Sequence, residues 1–304
     1  MNSAHAQQAT SRDGTPDLPD PGVRALGPGV LAAVSFGVSN IFTRFALLAG
    51  ADALTLATSR GVLGTLFVLA WLRAAPPRRL HTWPERLIAL GIGLLFAANL
   101  YLLFAAIRMV AVPIAILSYF VYPLLTGIVG SAIGLERLPL ASGAAAAVAL
   151  LGLALMLGAD PAHLAWLGVA FAIGAALCRV AILLVARAAL SQADSRMTTW
   201  YSMLSSTAAL LMVSAAVGAP AFPHGAIGWT GFFGVCLCST VSMLALFAST
   251  VRIGAFRTAL IMNLEPVVST LLSIVVLHEV LTPIQFVGGA IMVTALCAFQ
   301  VRRR

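Results

Sequence analysis

Ten apolar stretches, each about twenty residues long, follow one another along this chain, and they constrain its fold more than any other feature. They lie at residues 28–49, 53–72, 87–107, 110–133, 139–158, 164–189, 197–217, 227–250, 255–277 and 282–301. A helix rises 1.5 Å per residue, so about 20 residues cross the ~30 Å hydrocarbon layer of a membrane. Lipid offers no hydrogen-bond partner to the backbone, and each span therefore has to be a helix. We predict an all-α integral membrane protein with ten transmembrane helices.

Composition supports the same fold class. Hydrophobic residues make up 61% of the chain and charged residues only 9%, with a mean hydropathy of +1.00. Soluble domains contain about a quarter charged residues, so this chain has too few to cover a water-exposed surface. Residues 1–23 are polar and are predicted to form a flexible cytoplasmic tail.

The chain also repeats itself. Five residues recur in the same order, each displaced by 143 positions (266 − 123 and 279 − 136): Leu103, Phe104, Ala105, Pro123 and Glu136 return as Leu246, Phe247, Ala248, Pro266 and Glu279. We therefore divide the chain into a first unit at 24–160 and a second at 161–304, with five predicted spans in each. Because five is odd, the second unit enters the membrane from the opposite side, which makes the repeat inverted.

The arginines predict the orientation. All eighteen basic residues are arginine, and with a cytoplasmic N-terminus fourteen of them fall on the inner side and only Arg108 falls on the outer side. This is the positive-inside distribution, so we expect a multi-pass protein of a bacterial inner (plasma) membrane with both termini in the cytoplasm. The net charge of +8 is explained by this distribution, and nucleic acid is not an expected partner.

Two segments carry a resemblance to a known family. They are 103–138, LFAAIRMVAVPIAILSYFVYPLLTGIVGSAIGLERL, and 246–289, LFASTVRIGAFRTALIMNLEPVVSTLLSIVVLHEVLTPIQFVGG. Both resemble the drug/metabolite transporter superfamily, in particular its ten-helix EamA branch. The resemblance implies a bundle in which spans 1–4 and 6–9 surround a central cavity while spans 5 and 10 pack at the periphery. It also implies transport of amino acids and other small metabolites, often outward and in some members coupled to protons.

We therefore expect a carrier that works by alternating access, most simply an exporter of amino acids or related metabolites with protons as the coupling ion. Efflux of drugs or cations, or transport of a sugar- or nucleotide-like solute, are the rival transport functions. A membrane-embedded enzyme is disfavoured, because the sequence has no HExxH, no GxSxG and no clustered acidic residues. We expect no cofactor, no metal and no obligate protein partner; the four cysteines lie in apolar runs without a CxxC pair.

Glu265 is the leading candidate for a functional side chain. It lies near the middle of the ninth span, where a charged carboxylate is costly, so it should face a polar cavity, pair with a cation or hold a proton. Pro266 follows it and removes a backbone hydrogen bond, which is expected to leave the carbonyl of Met262 as a free acceptor. Packing is the alternative role for this pair. At the equivalent position the first unit has Tyr122.

The other candidates are polar residues within spans, where side chains need a helix or a ligand as partner. As substrate-binding or coupling residues we predict Asn40, Arg44, Arg60, Asn99, Tyr101, Tyr119, Tyr122, Arg179 and Asn263, with structural pairing as the alternative for each. The matched Pro123 and Pro266 are predicted hinges. Glu136 and Glu279 end their helices, where the dipole disfavours a carboxylate, so we expect each to be capped or paired.

Overall fold

The computed structural model describes residues 23–77, 79–110, 112–136, 140–157, 165–218, 220–277 and 282–301. Within these residues the regular elements are twelve α-helices: α1 (Val23–Leu48), α2 (Ala53–Ala74), α3 (Trp83–Met109), α4 (Val112–Tyr119), α5 (Tyr122–Ala132), α6 (Leu140–Leu157), α7 (Trp166–Ala189), α8 (Ser195–Val217), α9 (Gly225–Ile253), α10 (Ala255–Ile261), α11 (Leu264–Leu277) and α12 (Pro283–Val301). The predicted all-α fold is confirmed. Glu279 lies outside the described residues, and its predicted pairing stays a prediction.

Seven stretches of the described chain are long and apolar enough to cross a membrane. They comprise most of α1, α2, α3, most of α4 together with α5, α7, α9, and α10 together with nearly all of α11. The helices α6 and α12 are apolar but shorter, and α8 is long but contains many serines and threonines. These ten units match the predicted spans in position, whereas the count of ten transmembrane helices stays a prediction.

Two of the spans are broken near their middle, at equivalent places in the repeat. The first break separates α4 from α5 at residues 120–121, and the second separates α10 from α11 at residues 262–263. Each break is followed by the matched proline, Pro123 or Pro266, in the first turn of the next helix, where a residue without an N–H is tolerated. The carbonyl of Met262 is not a free acceptor, which corrects our prediction: the backbone N–H of Glu265 donates to it at 3.0 Å.

The helix contacts follow a two-fold pattern. The helix α1 packs on α9 and α11, and its repeat counterpart α7 packs on α3, α4 and α5. Likewise α3 packs on α8, and α9 packs on α2. Two pairs, α2 with α8 and α6 with α12, each join a helix to its own counterpart. The two units therefore have the same internal design and meet along a pseudo-two-fold axis.

The loops establish that the units are inverted. The loop after α1 touches the loop before α9, where the backbone N–H of Ala221 donates to Asp52 Oδ2 at 2.9 Å. At the other end of α2, Arg196 at the start of α8 donates through Nη1 to the carbonyl of Ala75 at 2.9 Å. The loop after α1 and its counterpart, the loop after α7, thus lie at opposite ends of α2. Parallel repeats would place them at the same end.

These contacts define the two ends of the bundle. The Asp52 end comprises residues 49–52, 218 and 220–224, and the Glu136 end comprises residues 133–136, the loop 190–194 and Gly254. By the arginine distribution, the Glu136 end is the predicted cytoplasmic end.

The peripheral pair α6 and α12 is held by close backbone contact. A Cβ built on Gly288 would lie 2.4 Å from the backbone nitrogen of Met156 and 2.6 Å from the carbonyl oxygen of Gly152. Only a residue without a side chain fits, so the two helices approach through glycine as membrane helices commonly do. In the described part of the chain, neither helix contributes a residue to the cavity described next.

Candidate functional site

A cavity of about 190 Å³ lies at mid-depth between the two units. Eight helices line it, namely α1, α2, α3 and α4 of the first unit and α7, α8, α9 and α11 of the second. The lining residues of α2 belong to the half of that helix nearer the Asp52 end. The residues in the wall are Phe36, Asn40, Ala57, Arg60, Gly61, Phe96, Asn99, Leu100, Leu103, Tyr119, Arg179, Met203, Ser206, Thr207, Leu210, Ser239, Met243 and Glu265.

Glu265 lies in the wall of this cavity and is bonded across the unit boundary. Its Oε1 accepts a hydrogen bond of 3.3 Å from Asn40 Nδ2 of α1. Because the span is broken at 262–263, Glu265 lies in the first turn of α11, where the positive end of the helix dipole favours a carboxylate. The approach of α1 depends on Gly37, since an added Cβ there would be 3.0 Å from the Glu265 carbonyl oxygen and 2.7 Å from Val268. The break in the span therefore creates the position that this carboxylate occupies.

Arg179 of α7 is held by aromatic rings. Its guanidinium carbon lies 5.4 Å from the ring centroid of Phe96 and 5.8 Å from those of Phe36 and Tyr122. The residue is only 5% exposed, and its Nε has no hydrogen-bond partner. Ring faces attract a cation by about 0.5–2 kcal/mol each, which compensates part of the cost of burying the charge. Arg179 thus lies in the cavity wall with its Nε as an unpartnered donor among the described residues.

Three further predicted residues line the same cavity. Arg60 lies in the second turn of α2 and is the second guanidinium in the wall. Asn99 is buried and donates through Nδ2 to the carbonyl of Ala175 at 2.6 Å, which ties α3 to α7. Tyr119 ends α4 at the break, and its ring lies 5.4 Å from that of Tyr122. Asn99 therefore joins two helices, which is the structural pairing given above as the alternative to substrate binding, and it also lines the cavity.

Four predicted residues lie elsewhere. Tyr101 is 66% exposed on the outside of α3. Tyr122 is 1% exposed and lies behind the wall, against Arg179. Asn263 is buried in the break before α11, and the exposed Arg44 lies on α1. None of the four belongs to the cavity wall.

The sequence reasoning missed several polar groups. Three hydroxyl residues of the second unit, Ser206, Thr207 and Ser239, line the cavity. For Ser206 and Thr207 the signal was the many serines and threonines of the seventh span, whereas Ser239 lies in the eighth span. It also missed Asp52 and Asp194, which cap α2 and α8 respectively at equivalent positions. Among the described residues, no group of three or more His, Cys, Asp or Glu side chains converges in a way that could hold a metal ion.

Glu136 follows the end of α5, and its carboxylate has hydrogen-bond donors and a nearby arginine as partners. Its carboxylate accepts hydrogen bonds from the backbone N–H groups of Ala255 and Phe256, at the start of α10. Arg187 Nε lies 3.8 Å from Glu136 Oε1. The prediction that this glutamate is capped or paired is confirmed, and its partners belong to the other unit.

A helical bundle of two inverted units that enclose a polar cavity at mid-depth has the architecture of a secondary transporter. The profile of the EamA-like transporter family matches residues 25–158 and 166–299, one match for each unit. The chain belongs to the EamA-like transporter family, and so to the class of membrane transporters of small solutes.

Other comparisons bear on the fold alone. A crystal structure, described only as that of a protein, matches with a TM-score of 0.77 at 19% identity, over 92% of this chain and 99% of the other. It is one of 29 solved chains that match. No curated protein sequence matches significantly.

Proposed function

We propose that this protein carries a small zwitterionic metabolite, with an amino acid as the best-fitting cargo, out of the cell by alternating access. One observation carries the proposal: Glu265, Arg60 and Arg179 line a single small cavity at the boundary between the inverted units. A carboxylate and two guanidinium groups in one site provide partners for both charges of a zwitterion.

Cavity size supports a small cargo. Pockets for drug-sized ligands measure about 300–1,000 Å³, whereas this one measures about 190 Å³. A metabolite with few heavy atoms fits this space, and a drug-sized molecule does not.

The charges in the wall favour a zwitterion over a cation. A substrate carboxylate is matched in geometry by a guanidinium, which can donate two parallel hydrogen bonds. A substrate ammonium would be placed at Glu265, beside the amide of Asn40. A lipophilic cation would meet two positive groups against one negative group, which disfavours cation efflux. The same excess of positive charge makes an anionic solute, such as a sugar phosphate, the second candidate.

The architecture supports alternating access. Inverted units can exchange conformations, so that a cavity between them opens first to one side and then to the other. Both broken spans, α4–α5 and α10–α11, place their breaks next to the cavity residues Tyr119 and Glu265. We propose Pro123 and Pro266 as the hinges of this exchange, in an inner membrane with both termini in the cytoplasm.

Proton coupling would use Glu265. Among the described lining residues it is the one acidic side chain, so it is the group able to exchange a proton between the two sides of the cavity. Binding of the cargo ammonium and binding of the proton would then compete for the same carboxylate, which couples their movements in opposite directions.

The substrate is tested in proteoliposomes that contain the full-length protein. Radiolabelled amino acids, a sugar phosphate and a lipophilic cation are each assayed for counterflow. We expect counterflow of one or more amino acids and none of the cation. Counterflow of the sugar phosphate alone would establish the second candidate in place of the first.

Coupling is tested with an imposed pH gradient. Wild type should accumulate the transported amino acid against its gradient, and Glu265→Gln should transport only downhill. The matched control is Glu85→Gln, at a glutamate that accepts from the backbone N–H of Thr82 at the start of α3, outside the cavity. If Glu265→Gln retains accumulation at the level of this control, Glu265 is not the coupling group.

A further inference from the structure

Glu136 connects the two units at the end of the bundle opposite to the Asp52 end. It follows α5 in the first unit, and both backbone N–H groups that it accepts from, those of Ala255 and Phe256, belong to the second. Hydrogen bonds to an ionised acceptor are about twice as strong as neutral ones. The contact spans 119 and 120 residues of sequence and joins units that must move relative to each other for alternating access.

Arg187 and Gly254 both lie next to the Glu136 carboxylate, one as a nearby positive charge and the other as a residue that leaves space for it. Arg187 lies 3.8 Å from Glu136 through Nε and donates through Nη1 to the carbonyl of Val251, which fixes the guanidinium beside α9. Gly254 has φ +93°, and an added Cβ would lie 2.5 Å from Glu136 Oε1. Two independent constraints, backbone conformation and space, thus require glycine next to the carboxylate.

A packed layer lies between this contact and the cavity. Leu183, Phe247 and Leu260 come from α7, α9 and α10, and none is more than 1% exposed. Leu183 is one helical turn beyond the cavity residue Arg179, and Phe247 one turn beyond Met243. These side chains therefore close the cavity toward the Glu136 end. Their helices are held in place there by Glu136, which bonds to the start of α10, and by Arg187 of α7, which bonds to α9.

We infer that Glu136 is a positioning residue of transport: its bond to the start of α10 holds the Glu136 end closed, and release of that bond is required before the cavity opens there. The inference rests on the proposed alternating access and adds the contact that determines the direction of opening. Glu136 is not in the cavity wall, so it acts through α10, which continues across the break into α11 and Glu265.

The test measures on which side the cavity is open and needs no substrate. In a full-length chain whose native cysteines are replaced, Ser239→Cys places one thiol in the cavity wall. A membrane-impermeant maleimide is added to right-side-out or to inside-out vesicles, and the labelling rate is measured from each end. The background chain should label faster from the Asp52 end.

In Glu136→Gln we expect labelling from the Glu136 end to rise about tenfold and labelling from the Asp52 end to fall, since the amide has one acceptor oxygen and no charge. Gly254→Ala, which displaces the carboxylate but keeps its charge, should shift the two rates in the same directions. The control Glu85→Gln should leave both rates unchanged, because the bonds of Glu85 to Thr82 and Arg79 lie within one unit.

The inference requires that the labelling rate from the Glu136 end rises while the labelling rate from the Asp52 end falls. If both rates rise together, Glu136 only stabilises the fold, and the inference fails; if neither changes, the contact does not hold the cavity closed, and it fails as well. Loss of transport in proteoliposomes is a separate outcome. If wild type moves none of the tested solutes while Glu136→Gln still shifts the labelling rates, the proposed function is overturned and the role of Glu136 stays intact.

Discussion

Asn40 Nδ2 donates to Glu265 Oε1 across 3.3 Å, and this bond joins the first helix of one unit to the broken ninth span of the other. It is the direct polar contact of the one acidic side chain in the described cavity wall. The amide keeps the carboxylate oriented toward the cavity without adding a charge to it.

Removing or charging the amide should therefore have graded effects on transport. Asn40→Ala loses one hydrogen bond to a charged acceptor, worth about 1.5–3 kcal/mol, and should lower the transport rate at least about tenfold. Asn40→Asp should be worse, because a second carboxylate at this distance forces one of the two to hold a proton. The measurement is the initial rate of amino acid counterflow, and equal rates in Asn40→Asp and wild type would refute the pairing as a functional contact.

Two tyrosines on consecutive helices, α3 and α4, test the cavity boundary. Tyr119 lines the cavity and Tyr101 does not. Loss of a neutral hydrogen bond costs about 1 kcal/mol, so Tyr119→Phe should raise the KM of the transported amino acid roughly fivefold. Tyr101→Phe should leave the KM unchanged. The same KM shift in both variants would mean that the cavity seen here is not where the substrate binds.

Neighbouring glycines of α12 should respond differently to the same substitution. An alanine at Gly288 would push its Cβ to 2.4 Å from the backbone of Met156, whereas at Gly289 the nearest atom is Met156 Sδ at 3.7 Å. Gly288→Ala should destabilise the protein by about 1–3 kcal/mol through overpacking. Gly289→Ala should be neutral or slightly stabilising. Thermal unfolding of the detergent-solubilised protein measures both, and an equal Tm would contradict the close approach of α6 and α12.

The cap at Asp52 should make stability depend on pH. Burial raises the pKa of this carboxyl, but hydrogen bonds from the Thr55 hydroxyl and from the backbone of Thr55, Ala221 and Leu54 together hold the pKa below its ordinary value of 3.8. The charged form is thus favoured in the folded state. Its contribution is present above pH 3.8 and is lost as the pH falls through the lowered folded-state pKa.

Asp52→Ala should accordingly lower the unfolding free energy by about 1–2 kcal/mol at pH 7, as loss of an N-cap does. The difference from wild type should shrink as the pH falls below about 4. Unfolding is followed at pH 7, 5, 4 and 3, with Asp52→Asn as the control that keeps an acceptor but cannot titrate. A difference that grows in acid would reverse the sign assigned to this carboxyl.

Much of the fold could be predicted because the repeat ties distant positions together. The displacement of 143 residues that relates Pro123 to Pro266 locates both helix breaks, and the odd number of spans per unit predicts the inversion that the loop contacts establish. The same displacement relates Arg44 to Arg187 (187 − 44 = 143), a match overlooked in the sequence. The hydroxyls of α8 could not be predicted in this way, because a serine or threonine within a helix commonly bonds to the backbone of its own helix and gives no sign of a site.

The rotation of each helix was harder to predict. In a membrane both the lipid-facing and the packed sides of a helix are apolar, so hydropathy does not separate them. On α3 the cavity residues Phe96, Asn99, Leu100 and Leu103 follow the i, i+3, i+4, i+7 stripe of one face. Tyr101 lies off that stripe, which explains why a polar side chain in the right span still points away from the site.

The caps at the two ends of the α2–α8 pair have a consequence for how the bundle rearranges. Asp52 binds Ala221 at one end, and Arg196 binds Ala75 at the other, so this pair is fastened between the units at both of its extremities. A contact at each end resists separation of the two helices and leaves them free to rotate together. We therefore expect α2 and α8 to stay packed against each other, with the other helices moving relative to this pair, when the cavity changes sides.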